Sequence, residues 1–176
     1  KRPMGLDNDD AGNLYVIDND KKTIAIFNRD GKYLRKITNE EAFHRPTGIA
    51  VTGDGSKAFV VNTGGVSSEQ HNIVVIDLNT EEHLYTIGKR GTAEGEFNLP
   101  KDITIGPEGR LYVVDSGNFR VSILEQDGPH VRSFGQLGLE VGHLALPKDL
   151  AADPGGDSLA PDDNSRNSQH LTHASP

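Results

Sequence analysis

At 176 residues the chain has room for one domain with a sizeable core and excludes a multi-domain assembly. Its 34% hydrophobic content together with 20 glycines is that of a chain whose bulk folds, and the absence of cysteine excludes disulfides, thiolate metal sites, iron–sulfur clusters and cysteine nucleophiles. Eighteen Lys and Arg against 26 Asp and Glu leave a formal charge of −8, which, with no basic cluster in the sequence, opposes nucleic acid as a partner.

No apolar stretch approaches the roughly 20 residues needed to span a bilayer, and Lys1-Arg2-Pro3-Met4-Gly5-Leu6 carries no signal-peptide core. The chain opens on Lys1 and not on Met, so its start says nothing about targeting in either direction.

In chain order, Pro3 leads to Leu14–Asp18, Ile24–Phe27 and Tyr33–Ile37, short β-branched and aromatic runs parted by Gly, Asp and Asn. Pro46 leads through Ile49–Val51 to Ala58–Asn62, Ile73–Ile76 and His83–Ile87, and Pro100–Ile105 to Leu111–Asp115, Val121–Leu124 and Val131–Phe134. Runs of this length and composition predict strands, not helices. The step from Pro to the strand-end Asp or Asn is 15 from Pro3 to Asp18, 16 from Pro46 to Asn62 and 15 from Pro100 to Asp115, so the three stretches are one internal repeat. Turns fall at Asp10–Asn13, Gly53–Ser56 and 106–109, and Asp30-Gly31 and Asp127-Gly128 read as hairpin turns. Each unit is then a four-stranded antiparallel meander, the size of one β-propeller blade.

Gly91-Thr92-Ala93-Glu94-Gly95-Glu96-Phe97-Asn98-Leu99-Pro100, followed by Gly109-Arg110-Leu111-Tyr112-Val113-Val114-Asp115 and Asn118-Phe119-Arg120, resembles the NHL repeat. The next repeat opens alike, from Phe134-Gly135 to Leu146-Pro147-Lys148-Asp149-Leu150. The first two repeats depart from the pattern: Lys21 and Thr23 stand where Asn118 and Arg120 stand in the third, and Asn62 replaces the Asp. The resemblance implies an all-β, NHL-type propeller segment over residues 1–152, with blades at 3–40, 41–90 and 91–140 and the start of another at 141–152. Residues 153–176 read either as a degenerate fourth repeat, whose strands two and three would be Leu159–Asp162 and Ser168–Leu171, or as a disordered polar tail, which Pro161 favours. A six-bladed ring needs roughly 270 residues at about 45 per blade, so missing blades or a homodimer are expected to close it.

In such a fold the first strands line the channel, and its mouth carries the loops between strands two and three. Candidate ligand- or partner-binding residues there are Lys101, Asp102, Lys148, Asp149, His44, His71, Glu69 and Asp115. Asn62 to Ile73 is 11 steps where Asp18 to Ile24 and Asp115 to Val121 are 6, so Thr63–Asn72 is an elongated loop, either a specificity element or a tolerated insertion. Asp7–Asn13 resembles the start of a calcium loop but reads as a hairpin turn. No nucleophile elbow, phosphate loop, dinucleotide fingerprint or zinc spacing occurs. The expectation is a non-catalytic binding or scaffold module for a protein partner or small ligand, with no cofactor. The alternative is a metal-dependent propeller enzyme, a lyase or a lactonase-like hydrolase with its site in the channel, for which calcium is the ion to consider. The resemblance leans towards a periplasmic or extracellular location.

Overall fold

The computed structural model describes residues 2–106 and 108–137, and the backbone of 151–152, 158–161 and 168–171. The first blade is β1 (Pro3–Asn8), β2 (Leu14–Asp18), β3 (Thr23–Phe27) and β4 (Tyr33–Thr38). The second is β5 (Pro46–Val51), β6 (Lys57–Asn62), β7 (Asn72–Asp77) and β8 (His83–Ile87). The third is β9 (Pro100–Ile105), β10 (Leu111–Asp115), β11 (Arg120–Leu124) and β12 (His130–Phe134). Each is an antiparallel sheet in sequence order, as the repeat predicts. Three further strands, β13 (Ala151–Ala152), β14 (Ser158–Pro161) and β15 (Ser168–Leu171), form a smaller antiparallel sheet.

The sheets stack face to face. Tyr15 and Ile17 of β2 and Ile24 and Ile26 of β3 pack against Ile49, Val60, Val74 and Ile76 of the second blade. The opposite face of that blade, with Phe59, Val61, Ile73 and Val75, packs against Ile103, Leu111, Val113 and Leu124 of the third. Burial therefore alternates along β2 but is continuous over Ala58–Asn62 of β6, because a sheet covered on both sides loses the half-polar pattern. Tyr112, Val114, Val121 and Ile123 form a further cluster on the far face of the third blade.

The first strands lie side by side, β1 against β5 and β5 against β9. Glycine makes this approach possible: a Cβ on Gly5 would sit 2.7 Å from the Thr47 carbonyl oxygen, and one on Gly48 2.8 Å from the Asp102 Cα. In the third blade Asp102 occupies the equivalent place, and its carboxylate rests over Gly48.

The hairpins are closed by side chains. Asp9 accepts from the Asn13 backbone N–H (2.8 Å), the Asn13 carboxamide (2.8 Å) and the Tyr15 hydroxyl (3.0 Å), so the calcium-like segment is a turn whose acid is already spent. Burial, with the Asp9 carboxylate beside it, pushes the Tyr15 hydroxyl up to about 12. Asp54 accepts from the Thr52 hydroxyl, the Ser56 N–H and the Ser56 hydroxyl, and those bonds hold its carboxyl down at about 2.

Gly48→Ala is expected to cost about 1–3 kcal/mol, the usual penalty of overpacking, read as a lowered urea midpoint at constant slope; an unchanged midpoint would mean that β5 and β9 can part freely. Because the folded Asp54 value lies below the unfolded one, its contribution is complete above the unfolded carboxyl value of about 4 and is lost as pH falls towards 2. Asp54→Ala should accordingly lower stability at neutral pH and flatten the acid limb of the stability–pH curve over that window.

Candidate binding face and the strand-end anchors

The second strand of every blade ends in a residue that holds the chain entering that blade. Asp115 Oδ1 accepts from the Asn98 N–H at 2.7 Å, Asn62 Oδ1 from the His44 N–H at 2.8 Å, and Asp18 Oδ1 from the Arg2 N–H at 3.3 Å. Asp115 is fully buried. Its Oδ2 accepts from the Asn118 carboxamide at 2.7 Å and from Arg120 Nε at 2.9 Å. Arg120 continues to the carbonyls of Thr92, Ala93 and Glu96, and Asn118 to that of Gly91, so the whole 91–98 segment hangs from one carboxylate. Burial pushes the Asp115 carboxyl above its usual range, while the Asn98 N–H, Asn118 and Arg120 pull the other way.

In the second blade the same place is neutral. Asn62, also fully buried, donates to the Ala42 carbonyl at 2.8 Å and to the Asn72 Oδ1 at 3.0 Å. Asn72 is the cross-strand partner of Asn62 as Arg120 is of Asp115 and Thr23 of Asp18. A carboxamide pair thus replaces the ion pair. The entering segments match too: Phe43 and Phe97, each three residues before the strand-opening proline, are completely buried, and Arg45 and Leu99 just before those prolines share a left-handed φ of 53° and 49°. The Phe43-His44-Arg45-Pro46 spacing, identical to Phe97-Asn98-Leu99-Pro100, was the signal in the sequence for this equivalence, one that an alignment starting at the prolines passes over.

Sequence reasoning places Asp115 and His71 among the ligand-facing residues; both are fully buried and serve the fold. Asp115 also leaves its own 116–118 turn uncapped, because its oxygens are committed to the segment before β9 and to Asn118 and Arg120. His71 Nδ1 accepts from the Leu99 N–H at 3.2 Å and Nε2 lies 3.0 Å from the Gly65 carbonyl, which selects the neutral tautomer protonated at Nε2. The ring clamps the elongated loop onto the third blade. Thr63 adds a hydroxyl bond to the Pro100 carbonyl, and Thr47 one of 2.8 Å to that of Lys101. Glu69 is exposed and pairs with Arg90 at 3.2 Å, a contact worth a fraction of a kcal/mol.

Lys101 and Asp102 come together with Arg2, Met4, Gly5, Leu6 and Thr47 along a groove of about 560 Å³. All three first strands contribute, and Met4 and Leu6 are 45% and 68% exposed. Lys148 and Asp149 lie outside the described residues. His44 stands apart from this groove, in a second cavity of about 300 Å³. Among the described residues no cluster of three His, Cys, Asp or Glu side chains could hold a metal ion.

Stacked four-stranded meanders with their first strands side by side are blades of a β-propeller. Solved propellers share the arrangement: hydrazine synthase of Kuenenia stuttgartiensis (TM-score 0.67, 20% identity, covering 94% of this chain and 44% of that one) and virginiamycin B lyase from Staphylococcus aureus, an inactive variant with quinupristin (TM-score 0.65, 16% identity, 96% and 55%). The WD40 propeller domain of Doa1 aligns as well (TM-score 0.61, 15% identity, 85% and 43%). The blade type is narrower: the NHL repeat family matches residues 97–124, from the segment entering the third blade to the end of β11. It is 29% identical over 90 residues to the human NHL repeat-containing protein 3 and 28% identical to the mouse protein, matches that cover 51% of this chain. The matched region spans about a quarter (24%) of the length of those curated relatives.

Asp115→Asn should lower stability by about 1.5–3 kcal/mol, the size of a hydrogen bond to a charged group, because Arg120 then keeps its charge without a counter-ion. The double variant Asp115→Asn with Arg120→Asn, which rebuilds the carboxamide pair of the second blade, is expected to be more stable than the sum of the two single losses predicts. Additivity of the two in a denaturation cycle would show that the anchors are not interchangeable.

Proposed function

We propose that this chain is a binding module that uses the channel-mouth groove of its blades to hold an extended segment of a protein partner. The observation that carries this reading is the convergence of three first strands on one groove, where the exposed apolar side chains Met4 and Leu6 stand beside the charged groups Arg2, Lys101 and Asp102. Apolar area supplies affinity and the flanking charges supply orientation, the usual division of labour at a protein interface. Fold alone does not decide function, and the lyase and the synthase among the solved neighbours are like this chain in fold only. The competing reading is a channel-bound metal enzyme. Native mass spectrometry distinguishes the two: chelator-sensitive extra mass of about one calcium ion per assembly would favour the enzyme, and the same spectrum reports whether a second copy of the chain completes the ring. A location outside the cytoplasm accompanies the proposal.

A random peptide library displayed on phage and selected on the immobilised chain should yield peptides that shift the backbone amide resonances of Gly5, Thr47 and Lys101. Their affinity should fall at least about tenfold, about 1.4 kcal/mol, in a Met4→Asp, Leu6→Asp variant whose two changed side chains are already solvent-exposed. Selected peptides that bind wild type and this variant alike would overturn the assignment of the groove.

A further inference from the structure

We propose that the cavity beside the elongated loop of the second blade is a separate binding site for a neutral, hydroxyl-rich small molecule of monosaccharide size. It has a volume of about 300 Å³, at the lower end of the roughly 300–1,000 Å³ typical of small-ligand pockets. Its walls come from three places: Asn39, Glu41 and His44 on the β4–β5 connection, Gln70 and Asn72 at the end of the loop, and His83 and Thr86 on β8. Val74 and Ala42 supply the apolar part of the lining.

The end of the elongated loop supplies one wall of the cavity. Nine residues separate Asn62 from Asn72, where four separate Asp18 from Thr23 and Asp115 from Arg120, and the extra length carries Gln70 to the wall. The clamp described for His71, between the Leu99 N–H and the Gly65 carbonyl, fixes the residue between Gln70 and Asn72, so the two carboxamides are held in place before any ligand arrives. Such preorganisation is more than a tolerated surface insertion needs.

The chemistry of the walls selects the ligand class. No Lys or Arg lines the cavity, which leaves no fixed counter-charge for an anion. No three metal-ligating side chains converge among the described residues, which disfavours a cation. What remains, beside the Glu41 carboxylate, is a set of neutral polar groups that between them donate and accept. Asn72 is 8% exposed; its Oδ1 accepts from Asn62 and one of its amide hydrogens goes to Gln70 Oε1 at 3.1 Å, which leaves the second amide hydrogen and the Gln70 amide for a ligand. His44 and His83 have their Nε2 atoms bonded to the Glu41 carbonyl (2.8 Å) and the Thr86 hydroxyl (3.0 Å), leaving each Nδ1 available. The Glu41 carboxylate supplies an acceptor. A sugar hydroxyl, donor and acceptor at once, matches this set, and the C–H face of a pyranose matches Val74 and Ala42.

Saturation-transfer difference NMR of the whole chain with millimolar glucose, galactose, mannose or N-acetylglucosamine tests the proposal, with glutarate as the anionic control. Transfer to at least one sugar is expected, with most of it lost in Gln70→Ala and in His83→Ala. Glu41→Gln, a surface change of the same shape, is expected to weaken it while leaving the fold intact. Absence of transfer to every sugar, transfer unchanged in all three variants, or transfer to glutarate instead would each overturn the proposal. Peptide binding at the channel-mouth groove is read separately, so failure here leaves that reading standing.

Discussion

Asp115 is a carboxylate with no exposed surface, and a buried charge is tolerated only where paired and hydrogen-bonded groups surround it. Its two oxygens meet an N–H, a carboxamide and a guanidinium, each of which belongs to or leads on to the segment that enters its blade. The cost of burying the charge therefore becomes a constraint on topology: β10 can occupy its place only if the 91–98 segment occupies its own. The path between the second and third blades, and with it the position of β9 on the channel wall, follows from that one group.

The other two blades apply the same constraint with less charge. Asn62 keeps the bond to the entering segment and trades the guanidinium for Asn72, and Asp18 keeps the bond while its side chain turns partly to solvent. Asn62 is as buried as Asp115 and avoids desolvating an ion pair at this place, whereas the Asp18 side chain is partly exposed. The second blade also carries the longer connection, and Gln70 and Asn72 at the end of that connection line the neighbouring cavity.

The channel wall obeys a steric rule in place of an electrostatic one. Gly5 and Gly48 let each first strand touch the backbone of the next, and the groove at the mouth is shaped by side chains that begin only where this approach ends. Asp102 breaks the glycine series at the one place where its carboxylate can lie over Gly48. The groove is therefore polar on its third-blade side and apolar on its first-blade side, where Met4 and Leu6 stand exposed.

The spacing of Pro3, Pro46 and Pro100 to Asp18, Asn62 and Asp115 was enough to determine the strands, their order and the blade, because strand period, turn chemistry and repeat length are local quantities written along the chain. The elongated loop was equally legible as a difference in count. What the side chains of that loop and of the strand ends do was decided only by the packing of one blade on the next. Residues 98 and 115, or 71 and 99, meet across a blade seam, and whether a His or Asp faces water or fills a seam depends on the neighbouring sheet and not on its own. The sequence determined where His71 and Asp115 fall in the repeat, and the tertiary structure decided that both are buried anchors.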